Sequence, residues 1–279
     1  MAKIINTPLR YPGGKSKLSG FISNILDKNK ILSGTYVEPF AGGAGIAIDL
    51  LLSDKVSKII LNDNDLSIYS IWYSILNHKN DLINKIIKTP ITIDEWLIQK
   101  DIQKNKENQN LLDLGFSTLF LNRTNRSGII KAGVIGGLKQ NGKWKIDARF
   151  NKEKIINRIE NIYKQRMNIE IYNEDAKNFI DNKIKKLPPN NTLIYFDPPY
   201  YKKGAQLYMN FFNHEDHEFL AKKIIELKHR WLVSYDNTEE IRKIYSNVHN
   251  SKLLNIRYSV GKNTSGQEIL FASDNLIID

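Results

Sequence analysis

The sequence predicts a doubly wound α/β fold with a mostly parallel sheet and a small, mainly helical inserted domain. Short apolar runs at Thr35–Glu38, 58–61 and Thr192–Phe196 each end in small or acidic residues, as buried parallel strands do. Helical patterns at 46–52 and 67–76 follow the first two runs. Strands that alternate with helices are typical of this fold class, in which ligands bind outside the carboxyl ends of the strands.

The C-terminal part of the chain predicts the remaining elements of the sheet. A helix, a strand and a closing β-hairpin are expected at residues 215–227, 231–234, 254–260 and 268–273. The alternation of strands and helices breaks down between the second and third apolar runs, where the sequence is polar and mostly helical. We therefore predict a catalytic domain formed by residues 1–78 and 169–279, with an inserted target-recognition domain at 79–168.

Composition indicates the kind of partner. The 279 residues include 41 Lys and Arg against 30 Asp and Glu, a formal net charge of +11. Such an excess favours a polyanionic partner, usually nucleic acid, although a merely Lys-rich surface is the alternative. Cysteine is absent, which excludes thiol nucleophiles, disulfides and thiolate metal sites. The sequence shows neither a signal peptide nor a membrane-spanning run, so we expect a cytoplasmic protein that does not bind membranes.

Two glycine-rich stretches resemble phosphate-binding loops but depart from them at a required position. Gly13-Gly14-Lys15-Ser16 resembles the end of a Walker A loop, whose first glycine would stand at Leu9. Gly43-Ala44-Gly45 resembles a dinucleotide-binding turn, but Ile48 occupies the third glycine position. Asp63 lies where a ribose-binding carboxylate is expected. S-adenosylmethionine, a nucleoside cofactor without a diphosphate, fits better than a dinucleotide; a turn that serves only close packing is the alternative.

The turn after the third apolar run predicts the chemistry. It consists of Asp197, Pro198, Pro199 and Tyr200. Prolines fix φ and remove backbone donors, so the carbonyl groups remain as acceptors beside a carboxylate. An exocyclic amine has two N–H groups, which an aspartate and a backbone carbonyl can each accept. The nitrogen lone pair is then available to attack the methyl group of a sulfonium, while Tyr200 offers a face for stacking a base. These four residues are the predicted catalytic set.

Four motifs in this order resemble the Dam-like (D12 class) DNA adenine-N6 methyltransferases over nearly the whole chain, at residues 10–15, 38–43, 62–63 and 197–200. The resemblance implies a Rossmann-like class I methyltransferase that transfers a methyl group from S-adenosylmethionine to N6 of an adenine flipped out of duplex DNA. The cofactor-binding residues that it implies are Tyr11, Lys15, Glu38, Phe40, Gly42, Asp63, Asp175 and Asp197. Of these, Lys15 would bind the cofactor carboxylate, Asp63 the ribose hydroxyls and Asp175 the adenine ring. Tyr11 stands where the family often has Trp, which keeps an aromatic wall.

The basic part of the predicted insert supplies candidates for binding DNA. One group resembles the family's DNA-facing loop and comprises Asn122, Arg123, Asn125 and Arg126. A second group flanks the hairpin-turn signal Asn141-Gly142 and comprises Lys139, Gln140, Lys143 and Trp144. A basic β-hairpin can enter the major groove, where Gln140 or Trp144 would fill the gap that the flipped base leaves. An ordinary solvated basic surface is the alternative for any one of these residues.

Other features are assigned structural roles. His214, Asp216 and His217 have helix-start spacing, which favours a cap and a packing face over a metal site, and no metal is predicted. Ser234 and the residues after it are expected to support the base pocket.

Rival functions are methyl transfer to RNA or to a glutamine side chain, and DNA binding without catalysis. The chain is expected to act as a monomer, and a cognate restriction endonuclease is left open as a partner.

Overall fold

The computed structural model of the protein covers most of the chain. It describes residues 6–10, 18–31, 33–202, 212–258 and 264–279. Contacts between residues divide these parts into two compact units. The sheet unit comprises the described residues of 18–64 and 168–279, and the helical unit those of 6–10 and 65–167. The sequence analysis had assigned residues 6–10 and 65–78 to the sheet domain, and the contacts group them with the helical unit instead.

A seven-stranded sheet organises the sheet unit. Its strands are β1 (Thr35–Glu38), β2 (Lys58–Asn62), β3 (Ile169–Tyr172), β4 (Thr192–Phe196), β5 (Arg230–Asp236), β6 (Ser251–Tyr258) and β7 (Thr264–Ala272). They lie in the order β3-β2-β1-β4-β5-β7-β6. The strands from β3 to β5 pair in parallel, while β7 is antiparallel to both β5 and β6. This topology confirms the predicted doubly wound, mostly parallel sheet with a closing hairpin; residues 259–263, which include part of the predicted turn, lie outside the described residues.

Helices alternate with the strands. In chain order they are α1 (Ser19–Lys28), α2 (Gly45–Leu52), α3 (Leu66–Asn77), α4 (Lys79–Lys88), α5 (Ile93–Lys104), α6 (Leu111–Thr124), α7 (Lys152–Lys164), α8 (Ala176–Asn182), α9 (His214–Ile225) and α10 (Glu239–Ile244). Leu220 and Ile224 of α9 pack with Ile194 and Val233 of the sheet in the core. Every residue of β4 is buried, as expected for a central strand covered on both faces.

The helical unit confirms the mainly helical character predicted for this part of the chain. Its central helix, α6, packs against α3 and α5, while α4 packs against α7. Asparagine side chains fix where two of these helices begin, since Asn110 accepts from the amide of Asp113 and Asn151 from that of Lys154. No described helix has the length and apolar character needed to cross a membrane.

One strand escaped prediction. β3 pairs in parallel with β2, so the strand predicted as the third is the fourth. β3 lies at the edge of the sheet, and its polar residue Glu170 forms ion pairs with Lys58 and Lys183. A run of four residues with a charged second position lacks the apolar signal of a central strand, which is why the sequence did not reveal it.

Candidate active site

Asp197 follows β4 at the carboxyl edge of the sheet, and its carboxylate is oriented from the neighbouring strand. Ser234 Oγ on β5 donates to Asp197 Oδ1 at 3.1 Å. The same hydroxyl lies 2.8 Å from the hydroxyl of Tyr195, which is buried on β4. The predicted supporting role of Ser234 therefore has a specific form, because its hydroxyl links the buried face of β4 to the aspartate.

The rest of the turn is buried. Pro198 and Pro199 are buried, and Tyr200 is only 6% exposed. The Tyr200 hydroxyl donates to Oε1 of Glu268, a carboxylate on β7 with no exposed surface. Sequence analysis missed Glu268 because it lies 68 residues from Tyr200 and its neighbours read as an ordinary strand.

Glu38 ends β1 as a buried carboxyl group. Its Oε1 accepts a hydrogen bond from the amide of Ala47, near the start of α2, at 3.2 Å. Burial raises the pKa of Glu38 to about 8, and the negative charge of Asp197 adds to this rise, whereas the bonds from Tyr36 and Ala47 oppose it. Glu38 and Asp197, two of the predicted site residues, therefore interact electrostatically at the carboxyl ends of neighbouring strands.

Asp63 is tied to the glycine-rich turn after β1. The amide of Gly42 donates to Asp63 Oδ2 at 2.8 Å. Gly42 has a φ of +47°, a conformation that glycine adopts without the steric cost of a Cβ. Phe40, in the same turn, is partly exposed, and its ring makes an edge contact with Phe212, with 6.0 Å between the ring centroids. The predicted residues of this turn and Asp63 thus occupy neighbouring loops.

Asn62 ties the end of β2 to two loops of the site, a role that the sequence analysis did not assign. Its Nδ2 donates to the carbonyl groups of Pro39 and Glu174, each at 3.0 Å, and its Oδ1 accepts from the amide of Glu174 at 3.0 Å. The side chain is 1% exposed. Asp175, the next residue, accepts from the amide of Lys177 at 2.9 Å and so caps α8. Asn62 thereby places the loop that carries Asp175 beside the turn after β1.

Two predicted cofactor residues, Tyr11 and Lys15, lie outside the described residues. The predicted cap at the start of α9 is confirmed in part, because Asn213 and Asp216 form a capping box. His217 is buried and its Nδ1 lies 3.0 Å from the hydroxyl of Tyr235. Burial lowers the pKa of His217 to about 4, so the ring is neutral at physiological pH. Within the described residues, no cluster of His, Asp and Glu has the arrangement of a metal site.

In the helical unit, the structure buries three residues that the sequence analysis offered as DNA contacts. Asn122 accepts from the amide of Arg10 at 2.7 Å and donates to the carbonyl group of Arg10 at 2.6 Å. Asn125 accepts from Trp96 Nε1 at 2.6 Å and has no exposed surface. Arg123 is 8% exposed, and its Nε donates to the carbonyl group of Pro8 at 2.7 Å. Their polar atoms hold the backbone and are not presented to a duplex in this conformation.

Arg123 also belongs to an arginine cluster that the sequence analysis did not identify, made of Arg10, Arg123 and Arg158. Burial and the neighbouring Arg158 and Arg10 charges lower the pKa of Arg123 to about 9. Arg10 and Arg158 donate to the carbonyl groups of Asn125 and Thr7, each at 3.3 Å. Among the described residues, no carboxylate forms an ion pair with any of the three. Within the described part of the helical unit, these three arginines therefore carry positive charge without a paired carboxylate.

The predicted β-hairpin around Asn141-Gly142 is wrong. The chain forms turns here, and Gln140 has a φ of +50°. The Gln140 amide closes the loop: its Nε2 donates to the carbonyl group of Ile135 at 2.8 Å, and its Oε1 accepts from the amide of Ile146 at 2.8 Å. These side-chain bonds replace the ladder that a hairpin would need, and they give Gln140 a structural role.

Exposed basic and aromatic side chains lie on and near this loop. The predicted DNA contacts that remain at the surface are Arg126, Lys139, Lys143 and Trp144. Trp144 is 61% exposed, with the Lys143 ammonium 5.8 Å from its ring centroid. Tryptophan is highly buried on average, so the exposure of this indole keeps Trp144 a candidate contact residue.

Comparison with known proteins identifies the family of the chain. Residues 11–260 match the family model for D12 class N6 adenine-specific DNA methyltransferases. The chain is 24% identical over 206 residues to the type II methyltransferase M.MjaIII of Methanocaldococcus jannaschii, covering 69% of this chain and 68% of that protein. It is 23% identical over 238 residues to the type II methyltransferase M.CviBI of Paramecium bursaria Chlorella virus NC1A, covering 84% of this chain and 86% of that protein.

Among solved structures, the methyltransferase domain of bacterial-CtHen1-CN is 11% identical, with a TM-score of 0.41 over 93% of this chain and 98% of that chain. The strand order of the sheet, with parallel β3 to β5 and antiparallel β7, identifies the doubly wound fold. The family match spans the glycine-rich turn, Asp63 and the turn at Asp197, which the sheet brings to one edge. The chain therefore belongs to the D12 class N6 adenine-specific DNA methyltransferase family.

Proposed function

We propose that the methyl donor is S-adenosylmethionine, bound at the carboxyl edge of the sheet. This edge carries a set of acceptors on neighbouring strands or the loops after them, namely Glu38, Asp63, Asp175 and Asp197. The aspartate carboxylates of this set accept from ribose hydroxyls and from amino groups and attract a cation, whereas they repel the phosphates of a dinucleotide. Glu38, whose pKa is about 8, adds an uncharged carboxyl group at neutral pH. The set therefore fits a cationic nucleoside cofactor, which supplies an electrophilic methyl group on sulfur.

The residues around the proposed cofactor have different tasks. Asp63, fixed by the Gly42 amide, accepts the ribose hydroxyls, because a carboxylate has room for several hydrogen bonds. Asp175, at the start of α8, faces the adenine ring, and Phe40 lines the pocket. Asn62 positions Asp63, Asp175 and Phe40 indirectly, because its side chain bonds to the loops beside them. Tyr11 and Lys15 complete the pocket by resemblance to the family.

The target amine binds at the turn after β4. Asp197 and the carbonyl group of Pro198 accept the two N6–H bonds of a flipped adenine, which localises the lone pair on the nitrogen. Ser234 donates to Oδ1 and thus limits rotation of the carboxylate. Tyr200 stacks on the base. The observation that carries the proposal is this one: an aspartate at the end of a central strand, oriented by a buried hydroxyl, in a chain of this family.

The helical unit binds duplex DNA in this proposal. Arg126, Lys139 and Lys143 are exposed cations that can contact phosphates, and Trp144 is an exposed ring that can enter the gap left by the flipped base. The cluster of Arg10, Arg123 and Arg158 adds to the positive potential of this unit. Buried Asn122, Arg123 and Asn125 contribute indirectly, because they hold the backbone that carries these groups. A cytoplasmic location, a monomeric state and a cognate restriction endonuclease stay predictions.

The proposal is tested by incubating the purified chain with tritiated S-adenosylmethionine and, in separate reactions, duplex DNA, RNA or a bacterial protein extract. Label is expected in the duplex alone, and digestion with nuclease and phosphatase should recover it as N6-methyl-2′-deoxyadenosine. Label only in RNA or protein would overturn the assignment. Binding of duplex DNA without any label would instead indicate a DNA-binding protein that has lost catalysis.

A further inference from the structure

Two acidic residues, Asp236 and Glu268, stand directly opposite each other in the antiparallel β5–β7 ladder. Side chains of directly opposed residues project from the same face of a sheet about 5 Å apart, and like charges at such positions destabilise the pair. Glu268 is also completely buried, which adds the cost of removing a carboxylate from water. An arrangement with these two costs requires a compensating set of contacts.

Both carboxylates find that compensation in the segment that begins with the catalytic turn. Asp236 Oδ1 accepts from the amide of Tyr201 at 2.9 Å, and its Oδ2 accepts from the amide of Lys202 at 3.1 Å. Glu268 Oε1 accepts from the hydroxyl of Tyr200. One rung of the ladder therefore holds the backbone after Tyr200 and the far end of its side chain.

We infer that Asp236 and Glu268 form a carboxylate clamp that positions the Tyr200 ring against the target adenine. The inference rests on the proposed function of the turn. A ring restrained only at its Cα can swing about its side-chain bonds, whereas a ring held at both ends keeps one orientation. Base stacking requires that orientation while the amine is held at Asp197. Glu268 is thus a positioning residue, which acts through Tyr200 and touches neither base nor cofactor.

The test compares Glu268→Gln with Glu268→Leu. Gln retains an oxygen that can accept from Tyr200, while Leu has similar bulk and no acceptor. Steady-state methylation of unmethylated genomic DNA should show kcat within about threefold of the original chain for Glu268→Gln and about thirtyfold lower for Glu268→Leu. KM for S-adenosylmethionine should change less than about twofold in both, because the clamp does not touch the cofactor. A folded Glu268→Leu chain with unchanged kcat would overturn the inference, as would equal losses in the two variants.

Glu170→Leu is the matched control. Glu170 also accepts from a tyrosine hydroxyl, that of Tyr172 at 2.7 Å, but it lies on β3 at the edge of the same sheet. Its replacement should leave kcat within about twofold. A loss of kcat as large as that of Glu268→Leu would show that any broken Tyr–Glu bond in this sheet has the same effect, and would overturn a specific clamp.

Tyr200→Phe keeps the test decisive if Glu268→Leu does not fold. The phenyl ring can still stack, so the substitution removes only the tether, and kcat should fall about as far as in Glu268→Leu. Where Glu268→Leu folds, it should cause no further loss in the Tyr200→Phe background, since the two substitutions remove the same hydrogen bond. Normal kcat for Tyr200→Phe, or additive losses in the double variant, would overturn the clamp. If the unaltered chain labels no DNA, the proposed function fails; if it labels DNA and these variants match it, the clamp alone fails.

Discussion

The turn at residues 197–202 and the loop at residues 136–146 are both irregular, but only the turn is held by side chains of the regular sheet. Ser234 on β5 and Glu268 on β7 bond to the turn from buried strands. The loop is closed from within, mainly by the amide of Gln140, and its flanking side chains are exposed.

This difference matches what each segment is proposed to do. Methyl transfer needs the acceptor atoms in a narrow range of positions, which the buried strands β5 and β7 beside the turn provide. Phosphates repeat along a duplex and contribute affinity without base identity, so cations on a self-contained loop suffice for binding them. The comparison teaches that a precise site is supported from outside its own segment, whereas a surface that binds by charge needs little support.

The largest effect is expected for Asp197→Ala, which tests whether catalysis can be lost while the turn keeps its structure. Asp197→Ala should lower kcat by roughly 1000-fold or more, because the acceptor for the amine is lost. DNA affinity should stay within about twofold, since Glu268 still holds the turn. Tritium incorporation and fluorescence anisotropy measure the two quantities, with exposed Asp81→Ala as the control. Near-normal turnover would refute the role of Asp197.

Glu38 extends the comparison to a buried carboxyl group at the end of β1. Its pKa of about 8 in the folded chain exceeds its ordinary value of 4.5, so the folded state retains a proton that the unfolded state releases. The stability from this group is complete below pH 4.5 and is lost as pH rises through about 8.

The free energy of unfolding should therefore fall by on the order of 3 kcal/mol between pH 5 and 8 through this group alone. Glu38→Gln cannot titrate and should flatten the profile by that amount. Urea unfolding at several pH values measures the difference. Parallel profiles for the two proteins would show that Glu38 titrates normally in the folded chain.

Two arginines of the helical unit, three residues apart, allow a buried supporting side chain to be compared with an exposed one. Arg123 is buried and bonded to the carbonyl group of Pro8, whereas Arg126 is exposed. Arg123→Ala should lower the free energy of unfolding by about 2 kcal/mol, because a buried acceptor loses its partner. Arg126→Ala should change it by less than about 0.5 kcal/mol. Equal stability losses, measured by urea unfolding, would remove the distinction between the two residues.

The smallest expected effect concerns the exposed cations. Lys139→Ala and Arg126→Ala should each weaken binding of duplex DNA several-fold and reduce the slope of log affinity against log salt by about 1. Exposed Lys228→Ala in the sheet unit is the control and should leave the slope unchanged. Unchanged salt slopes in both helical-unit variants would move the DNA-binding surface elsewhere.

Prediction from sequence was most accurate where one short segment contains the whole signal. Apolar runs followed by Glu38, Asp63 and Asp197 identified three parallel strands, and parallel strands bring their carboxyl ends to one edge. No comparable rule predicts which partners a polar side chain in a loop will bond to. The Asn-Gly pair at 141–142 predicted a hairpin, but Gln140 closes a different loop through bonds to the backbone on either side.

The sequence by itself determined the fold class and predicted the chemistry proposed for Asp197–Tyr200, because hydrophobic periodicity and residue type are local properties. Only the tertiary structure decided which polar residues support the site and which are exposed. Glu268 meets Tyr200 across 68 residues, and Arg123 meets Pro8 across 115. Such pairs form only when the chain folds, because a buried polar group without a partner costs free energy. The sequence near each residue therefore does not reveal its partner.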